Sequence, residues 1–119
     1  MITQYARIQA CFEELVMREV PERFRIFCER HPGVAAAYES LAAECREAGP
    51  LGAKDQVLVR LGIAVGAQIE GAVRSQVRKA LDAGLKPDEI RHAIMLSITT
   101  VGFPRMMSAL TWAEDLLER

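Results

Sequence analysis

The stretch at residues 51–68, LGAKDQVLVRLGIAVGAQ, constrains the fold most, because positions 57–65 leave hardly any polar face. A short apolar run rich in β-branched residues is compatible with a buried strand. We predict a helix instead, because the segment is long and every neighbouring segment has helical periodicity. A helix that is apolar nearly all round must be covered all round, by its own domain or by another subunit. Arg60 is the exception, and its simplest interpretation is snorkelling or an ion pair at an interface.

The composition is that of a soluble globular protein. The chain has 119 residues, of which 50% are hydrophobic and 26% charged, so we expect one domain over residues 1–119. The net charge of -1 gives no reason to expect a nucleic-acid partner. No apolar run is long enough to span a bilayer, and MITQYARIQ lacks the pattern of a signal peptide. We therefore expect a cytoplasmic protein without a membrane partner.

The cysteines and histidines indicate neither a disulfide framework nor a metal site. Cys11, Cys28 and Cys45 form no C-x-x-C pair, and an odd number in a reducing compartment favours free thiols. No His, Cys, Asp and Glu cluster has the spacing of metal ligands. We expect neither a metal nor a cofactor.

Apolar residues at three- and four-residue intervals predict helices through the rest of the chain. We expect them at residues 4–19, from Pro21 to His31, at about 33–48, at 71–81, from Pro87 to Ile98 and from Met106 to Leu117. The expected inner face of the third helix comprises Val34, Ala37, Tyr38, Leu41, Ala42 and Cys45. The predicted fold class is all-α, a single-domain bundle of about six helices.

The junction at residues 66–84, GAQIEGAVRSQVRKALDAG, carries the best candidates for chemistry. Glu70, Arg74 and Gln76 lie together there in sequence. The alternative is structural, since an acid four residues before a base is an ordinary surface pair that contributes about 0.3 to 0.5 kcal/mol. Gln76 is more simply explained as a solvent or interface amide than as a catalytic group.

Two segments carry a family resemblance: KALDAGLKPDEI at residues 79–90, and Gly102-x-Pro104 followed by a helix. Together with the lead-in HPGVAAAYESLAAECREAGPL, they make the chain resemble the carboxymuconolactone decarboxylase family, which includes the alkyl hydroperoxidase D proteins. The resemblance covers residues 51–117. It implies an all-α protein that assembles as a homo-trimer or hexamer, in which neighbouring subunits would cover the apolar helix.

The peroxidase branch of that family uses a Glu, a C-x-x-C pair and a His. Aligned through Gly84, these positions fall on Val57, Ile69, Ala72 and Gln76, and none of them matches. Thiol peroxidase chemistry needs a thiolate and a resolving thiol, which Ile69 and Ala72 lack. The resemblance is therefore to a divergent member without the C-x-x-C and His positions.

The decarboxylase branch carries E-G-x-L-R-x-H, which is similar to EGAVRSQ at residues 70–76. This similarity implies a catalytic set in which Arg74 holds an anionic lactone or carboxylate, Glu70 donates a proton and Gln76 replaces the His. An amide orients a substrate but does not titrate. If the chain is an enzyme, it is then a decarboxylase-like lyase, with its pocket near these residues and the turn at 102–107. The alternatives are a non-catalytic oligomeric binding or scaffold protein, and the peroxidase activity that the superfamily implies.

Overall fold

A computed structural model of the chain describes residues 21–118, and the regular structure in this range is entirely helical. The all-α prediction is confirmed. The predicted helix at residues 4–19, with Cys11, lies outside the described residues. Six helices of nine or more residues and one helical turn, α6, follow in chain order: α1 Glu22–Arg30, α2 Pro32–Glu47, α3 Ala53–Ala67, α4 Glu70–Asp82, α5 Pro87–Met95, α6 Ile98–Val101 and α7 Phe103–Leu117.

The chain divides into two compact units, with the boundary between Pro50 and Leu51. The described part of the first unit contains α1 and α2, and the second unit contains α3 to α7. That residues 1–119 form one domain stays a prediction. Between residues 21 and 118, no helix combines the length and the apolar character that crossing a membrane requires.

In the first unit, the predicted inner face of α2 was wrong. Ala36 is the buried residue of this helix, whereas Val34, Tyr38 and Leu41 are more than half exposed. Ala36 lies about 200° around the helix from Val34 and from Tyr38, so the buried side is the opposite one. Periodicity identifies an apolar face, but it does not determine whether a neighbour covers that face.

The second unit is built around α3, which packs against α4, α5 and α7. The choice of helix over strand for this segment is confirmed. The largest side chains that are fully buried all come from α3, α4 and α5, and they are Val57, Leu61, Val65, Val73, Val77, Ile90 and Ile94. Within residues 21–118, only one side of α3 is covered, because Val59 and Ile63 are 50% and 66% exposed. The expected burial all round is therefore not achieved by the described residues alone.

The helix predicted from Pro87 to Ile98 ends earlier, at Met95. Ser97 donates its hydroxyl to the carbonyl of Ile94 at 2.7 Å, and Thr100 donates to the carbonyl of Ser97 at 3.0 Å. Such local hydrogen bonds compete with a continuous helix. The chain forms the short turn α6 instead, and Gly102, with φ +94°, separates this turn from α7.

Gly84 adopts a left-handed conformation after the C-terminal end of α4, with φ +92°. The Gly84 N–H donates to the carbonyl of Leu81 and the Leu85 N–H donates to that of Ala80, both at 3.0 Å. These two bonds form a Schellman motif. Leu85 is buried in the core of the second unit, so the cap also fixes the connection to α5.

A second left-handed residue ends α3, and this one is not glycine. Gln68 has φ 56°, which costs a residue with a Cβ roughly 1 to 2 kcal/mol. Its side-chain amide donates to the carbonyl of Val65 and to that of Arg105 in α7, both at 2.9 Å. These bonds offset the backbone strain and fix the turn that leads from α3 into α4.

Two arginines connect the C-terminal half of α7 to its neighbours. Arg91 of α5 binds Glu114 in a bidentate pair, with Nε–Oε1 at 2.5 Å and Nη2–Oε2 at 3.0 Å, and it also binds Asp88. Arg74 of α4 binds Asp115. The hydrogen bonds that Arg91 donates to Glu114 lower the pKa of Glu114 and raise the pKa of Arg91. Both ion pairs therefore favour the docked position of α7.

The left-handed backbone at Gln68 predicts that glycine at this position is more stable than alanine, which is the reverse of the usual order inside a helix. Both Gln68→Ala and Gln68→Gly remove the side-chain bonds, but only glycine relieves the left-handed backbone. We expect Gln68→Gly to be more stable than Gln68→Ala by about 1 kcal/mol in urea denaturation. If alanine proves at least as stable as glycine, residue 68 does not have the positive φ.

The Arg91–Glu114 pair predicts a pH-dependent difference between the parent and Glu114→Gln. Because the pKa of folded Glu114 lies below its ordinary value of 4.5, its stabilisation is present above that pH and is lost as pH falls through the folded pKa. We expect the parent to have the higher melting temperature at pH 7, and the difference to close as the pH falls below 4.5. Asp88→Asn is the matched control, because Asp88 is 92% exposed and should change the melting temperature less. A gap that stays constant with pH would contradict this assignment.

Candidate functional site

Glu70 and Arg74 form one ion-pair network on the outer side of α4. Arg74 Nε donates to Glu70 Oε2 at 3.1 Å, and Arg74 Nη2 donates to Asp115 Oδ2 at 2.9 Å. The pKa of Arg74 is raised, mainly by the hydrogen bond with Asp115. Two carboxylates therefore share one guanidinium. Asp115 lies 41 residues from Arg74 in the chain, and nothing in the local sequence pattern indicated it.

Gln76 takes part in a different contact, with α3. Its side-chain oxygen accepts a hydrogen bond from Arg60 Nε at 3.3 Å. Both residues are partly buried. Arg60 thus pairs with an amide across 16 residues of sequence, rather than with an acid. Across the part of the chain that the structure describes, no carboxylate binds Arg60.

The predicted set of Glu70, Arg74 and Gln76 is therefore divided between two sides of α4. Gln76 follows Arg74 by two residues, which turns its side chain about 200° around the helix, whereas Glu70 and Arg74 are one turn apart. Contact between α3 and α4 gives Gln76 its partner, and contact between α4 and α7 gives Arg74 its partner. That these three residues act as one catalytic set stays a prediction.

A depression of about 230 Å³ lies between α3 and the start of α4, on the side of Gln76. Its two polar side chains are Arg60 and Gln76. The other lining residues are apolar: Ile63, Ala64, Ala67, Ile69 and Ala72. Glu70 and Arg74 do not line it, and neither does the turn at residues 102–107, where Met106 is buried in the core. We call this feature the Arg60 depression.

The polar groups of the Arg60 depression that remain available are hydrogen-bond donors. Arginine only donates, so the Gln76 atom that faces Arg60 Nε must be the oxygen, and the amide NH₂ is left free. The η nitrogens of Arg60 have no hydrogen-bond partner within residues 21–118. A positive charge and an amide donor therefore converge beside an apolar wall. This arrangement is complementary to an acceptor with negative charge.

The Arg60 depression coincides with positions that the family resemblance marks as functional. Ile69, Ala72 and Gln76, which take the places of the C-x-x-C pair and the His, all line it. Val57, at the place of the Glu, is 1% exposed and belongs to the core. None of the seven lining side chains is a thiol, a carboxyl or an imidazole. By this resemblance, an amide and two apolar side chains that line the depression, together with Val57 in the core, stand in place of the titrating groups.

The cysteines in the described range lie outside this depression. Cys28 is buried in the first unit and Cys45 is exposed, and both are free. Burial raises the pKa of the Cys28 thiol, so the reactive thiolate form is disfavoured. Within residues 21–118, no three His, Cys, Asp or Glu side chains are arranged to hold a metal ion.

Comparison with known proteins identifies the family. The family model for the carboxymuconolactone decarboxylase family matches residues 32–115. The match begins upstream of residue 51, so it includes the lead-in segment as well as the core of the resemblance. A search of curated proteins and a search of solved structures gave no match. Because the family model covers more than half of the chain, the protein belongs to the carboxymuconolactone decarboxylase family.

Proposed function

We propose that this protein binds a small organic anion, a carboxylate or a related lactone acid, in the Arg60 depression. The observation that carries the proposal is the pairing of Arg60 with Gln76, which leaves only donors facing an apolar concavity. Apolar lining with a few convergent polar groups is typical of small-molecule sites. Family membership agrees with a carboxymuconolactone decarboxylase-like or alkyl hydroperoxidase-like kind of protein.

Arg60, rather than Arg74, is the proposed anion contact. Arg74 is bound by Glu70 and Asp115, so an incoming anion would have to displace a carboxylate. Arg60 has an uncharged partner, so its positive charge is not neutralised by a neighbouring acid. A charge-assisted hydrogen bond to a carboxylate is about twice as strong as a neutral one. A ligand can therefore bind the charge of Arg60 without breaking an ion pair.

The proposed role is binding without acid–base catalysis by the groups that line the depression. Decarboxylation needs a proton donor at the carbanion-like centre, and peroxide reduction needs a thiolate. Arginine and glutamine supply neither at neutral pH. Glu70 is the nearest candidate in sequence, but its carboxylate is paired with Arg74 outside the depression. Of the functions that the sequence left open, the side chains of the depression favour a non-catalytic oligomeric binding protein over a lyase.

The anion site is tested by titrating the purified protein with small carboxylates and measuring affinity by calorimetry. We expect Arg60→Gln to weaken carboxylate binding by about tenfold or more, because a hydrogen bond to a charged group is lost. Arg105→Gln is the matched control: it removes the same charge from an exposed arginine that does not line the depression. We expect its affinity to stay within about twofold of the parent.

Arg74→Gln separates this proposal from the set predicted by the decarboxylase resemblance. If the ligand binds at Glu70 and Arg74, then Arg74→Gln abolishes binding while Arg60→Gln leaves it unchanged. That outcome would contradict the assignment to the Arg60 depression. Failure of any carboxylate or lactone to bind the parent protein would remove the anion-binding function altogether.

We also propose that the protein is a homo-oligomer in which a second copy covers the outer side of α3. Val59 and Ile63 are large apolar side chains that are half or more exposed on this helix. Leaving such a surface in water is unfavourable, and symmetric self-association is the commonest way in which soluble chains cover it. The trimer or hexamer that the resemblance implies is compatible with this proposal.

Light scattering on Val59→Glu tests the assembly without changing the Arg60 depression, which Val59 does not line. We expect the parent to have the mass of an oligomer and Val59→Glu to have a smaller mass, because a buried carboxylate would lack a partner. Lys54→Glu, at an exposed position in the first turn of the same helix, is the control and should keep the parent mass. A monomeric parent would contradict the proposal.

A further inference from the structure

We infer that the Arg60 depression selects a monocarboxylate attached to a single small ring or short branched chain, and that it discriminates against dicarboxylates. This inference rests on the proposed anion-binding function and specifies its ligand class. The ligand that the family resemblance implies is a lactone with further carboxylates. The side chains around this depression fit a different molecule, with one negative charge and an apolar body.

The number of negative charges follows from the number of cations. Arg60 is the one cationic side chain among the seven residues that line the depression. Arg74, the other arginine near the start of α4, is bound by two carboxylates and does not line it. A second carboxylate on the ligand would therefore contact apolar side chains or remain in solvent. An unpaired charge against an apolar wall loses hydration without compensation.

The apolar body of the ligand follows from the remaining surface. Ile63 and Ala64 of α3 and Ile69 and Ala72 at the start of α4 present only aliphatic groups. Ile69 is 56% exposed, so an apolar ligand would cover surface of this side chain that water now contacts. Burial of aliphatic surface is favourable in proportion to the area removed from water. These walls therefore favour a hydrocarbon part next to the carboxylate.

The size of the ligand follows from the volume of the depression. Its 230 Å³ exceeds the roughly 150 Å³ apolar cavity that accommodates one benzene molecule. The extra volume leaves room for a carboxylate. One ring with one carboxylate therefore fits within the depression, with the carboxylate at Arg60 and Gln76 and the ring against the alanines.

Three compounds that share one benzene ring test the inference by calorimetry on the 119-residue chain: benzoate, isophthalate and benzyl alcohol. Benzoate has one carboxylate and a charge of minus one, and isophthalate has two carboxylates and a charge of minus two. Benzyl alcohol has one hydroxyl and no charge. We expect benzoate to bind at least about tenfold more tightly than either of the others.

Arg60→Gln should remove the advantage of benzoate over benzyl alcohol. Ala72→Leu, which fills part of the depression, should weaken benzoate binding while leaving the melting temperature of the free protein within a few degrees.

Each outcome bears on a different statement. Isophthalate binding as tightly as benzoate would overturn the selection for one charge, while the anion-binding function would stand. Benzyl alcohol binding as tightly as benzoate would overturn the role of Arg60. Benzoate binding that Ala72→Leu leaves unchanged would overturn the location. Binding of none of the three compounds at millimolar concentration would overturn the proposed function together with the inference.

Discussion

The packing of α3 is the constraint on which the second unit depends. Val57, Leu61, Ala64 and Val65 are buried along one side of this helix, and α4, α5 and α7 contact it. Its other side is apolar as well, so burial in the core leaves a hydrophobic surface exposed. Arg60 interrupts that surface beside the core. The guanidinium of Arg60 therefore lies among apolar side chains because one side of α3 packs in the core and the other side is also apolar.

The two arginines next to α4 differ in what neutralises them. Arg74 has two carboxylate partners and links α4 to α7, so its charge contributes to the fold. Arg60 has one amide partner, and its charge remains available. By the family resemblance, Gln76 takes the place of the His of the peroxidase branch, and its side-chain oxygen accepts the hydrogen bond from Arg60 Nε. The substitution of an amide for an imidazole removes a proton-transfer group and adds a fixed donor.

The helices and their ends could largely be predicted from local sequence. The helical state of α3 and the glycine cap at Gly84 depend on neighbours within about one turn, which the sequence displays directly. The early end of α5 was missed because three hydroxyl side chains at residues 97–100 compete locally with the helix. This signal was present in the sequence, but the apolar pattern across it was given more weight.

The candidate site could be predicted only in part, because its contacts are distant in sequence. Residues 66–84 do contain the start of the depression, and Gln76 does line it. The partners were not predictable: Gln76 pairs with Arg60 at a separation of 16 residues, and Arg74 with Asp115 at a separation of 41. Which of two arginines is neutralised depends on the packing of α4 against α3 and α7. The prediction of the buried side of α2 failed for a related reason, because the side of a helix that is buried depends on which neighbouring residues pack against it.

The central claim is that the positive charge of Arg60, and not that of Arg74, is available to an anionic ligand, and arginine side-chain NMR tests it most directly. Arg60 Nε–H donates to Gln76 and Arg74 Nε–H donates to Glu70, so both protons are held in hydrogen bonds and both report on their guanidinium groups. During a titration with benzoate, the account predicts that the Arg60 Nε–H signal shifts with the ligand while the Arg74 signal stays in place. A shift of the Arg74 signal with a constant Arg60 signal would contradict it.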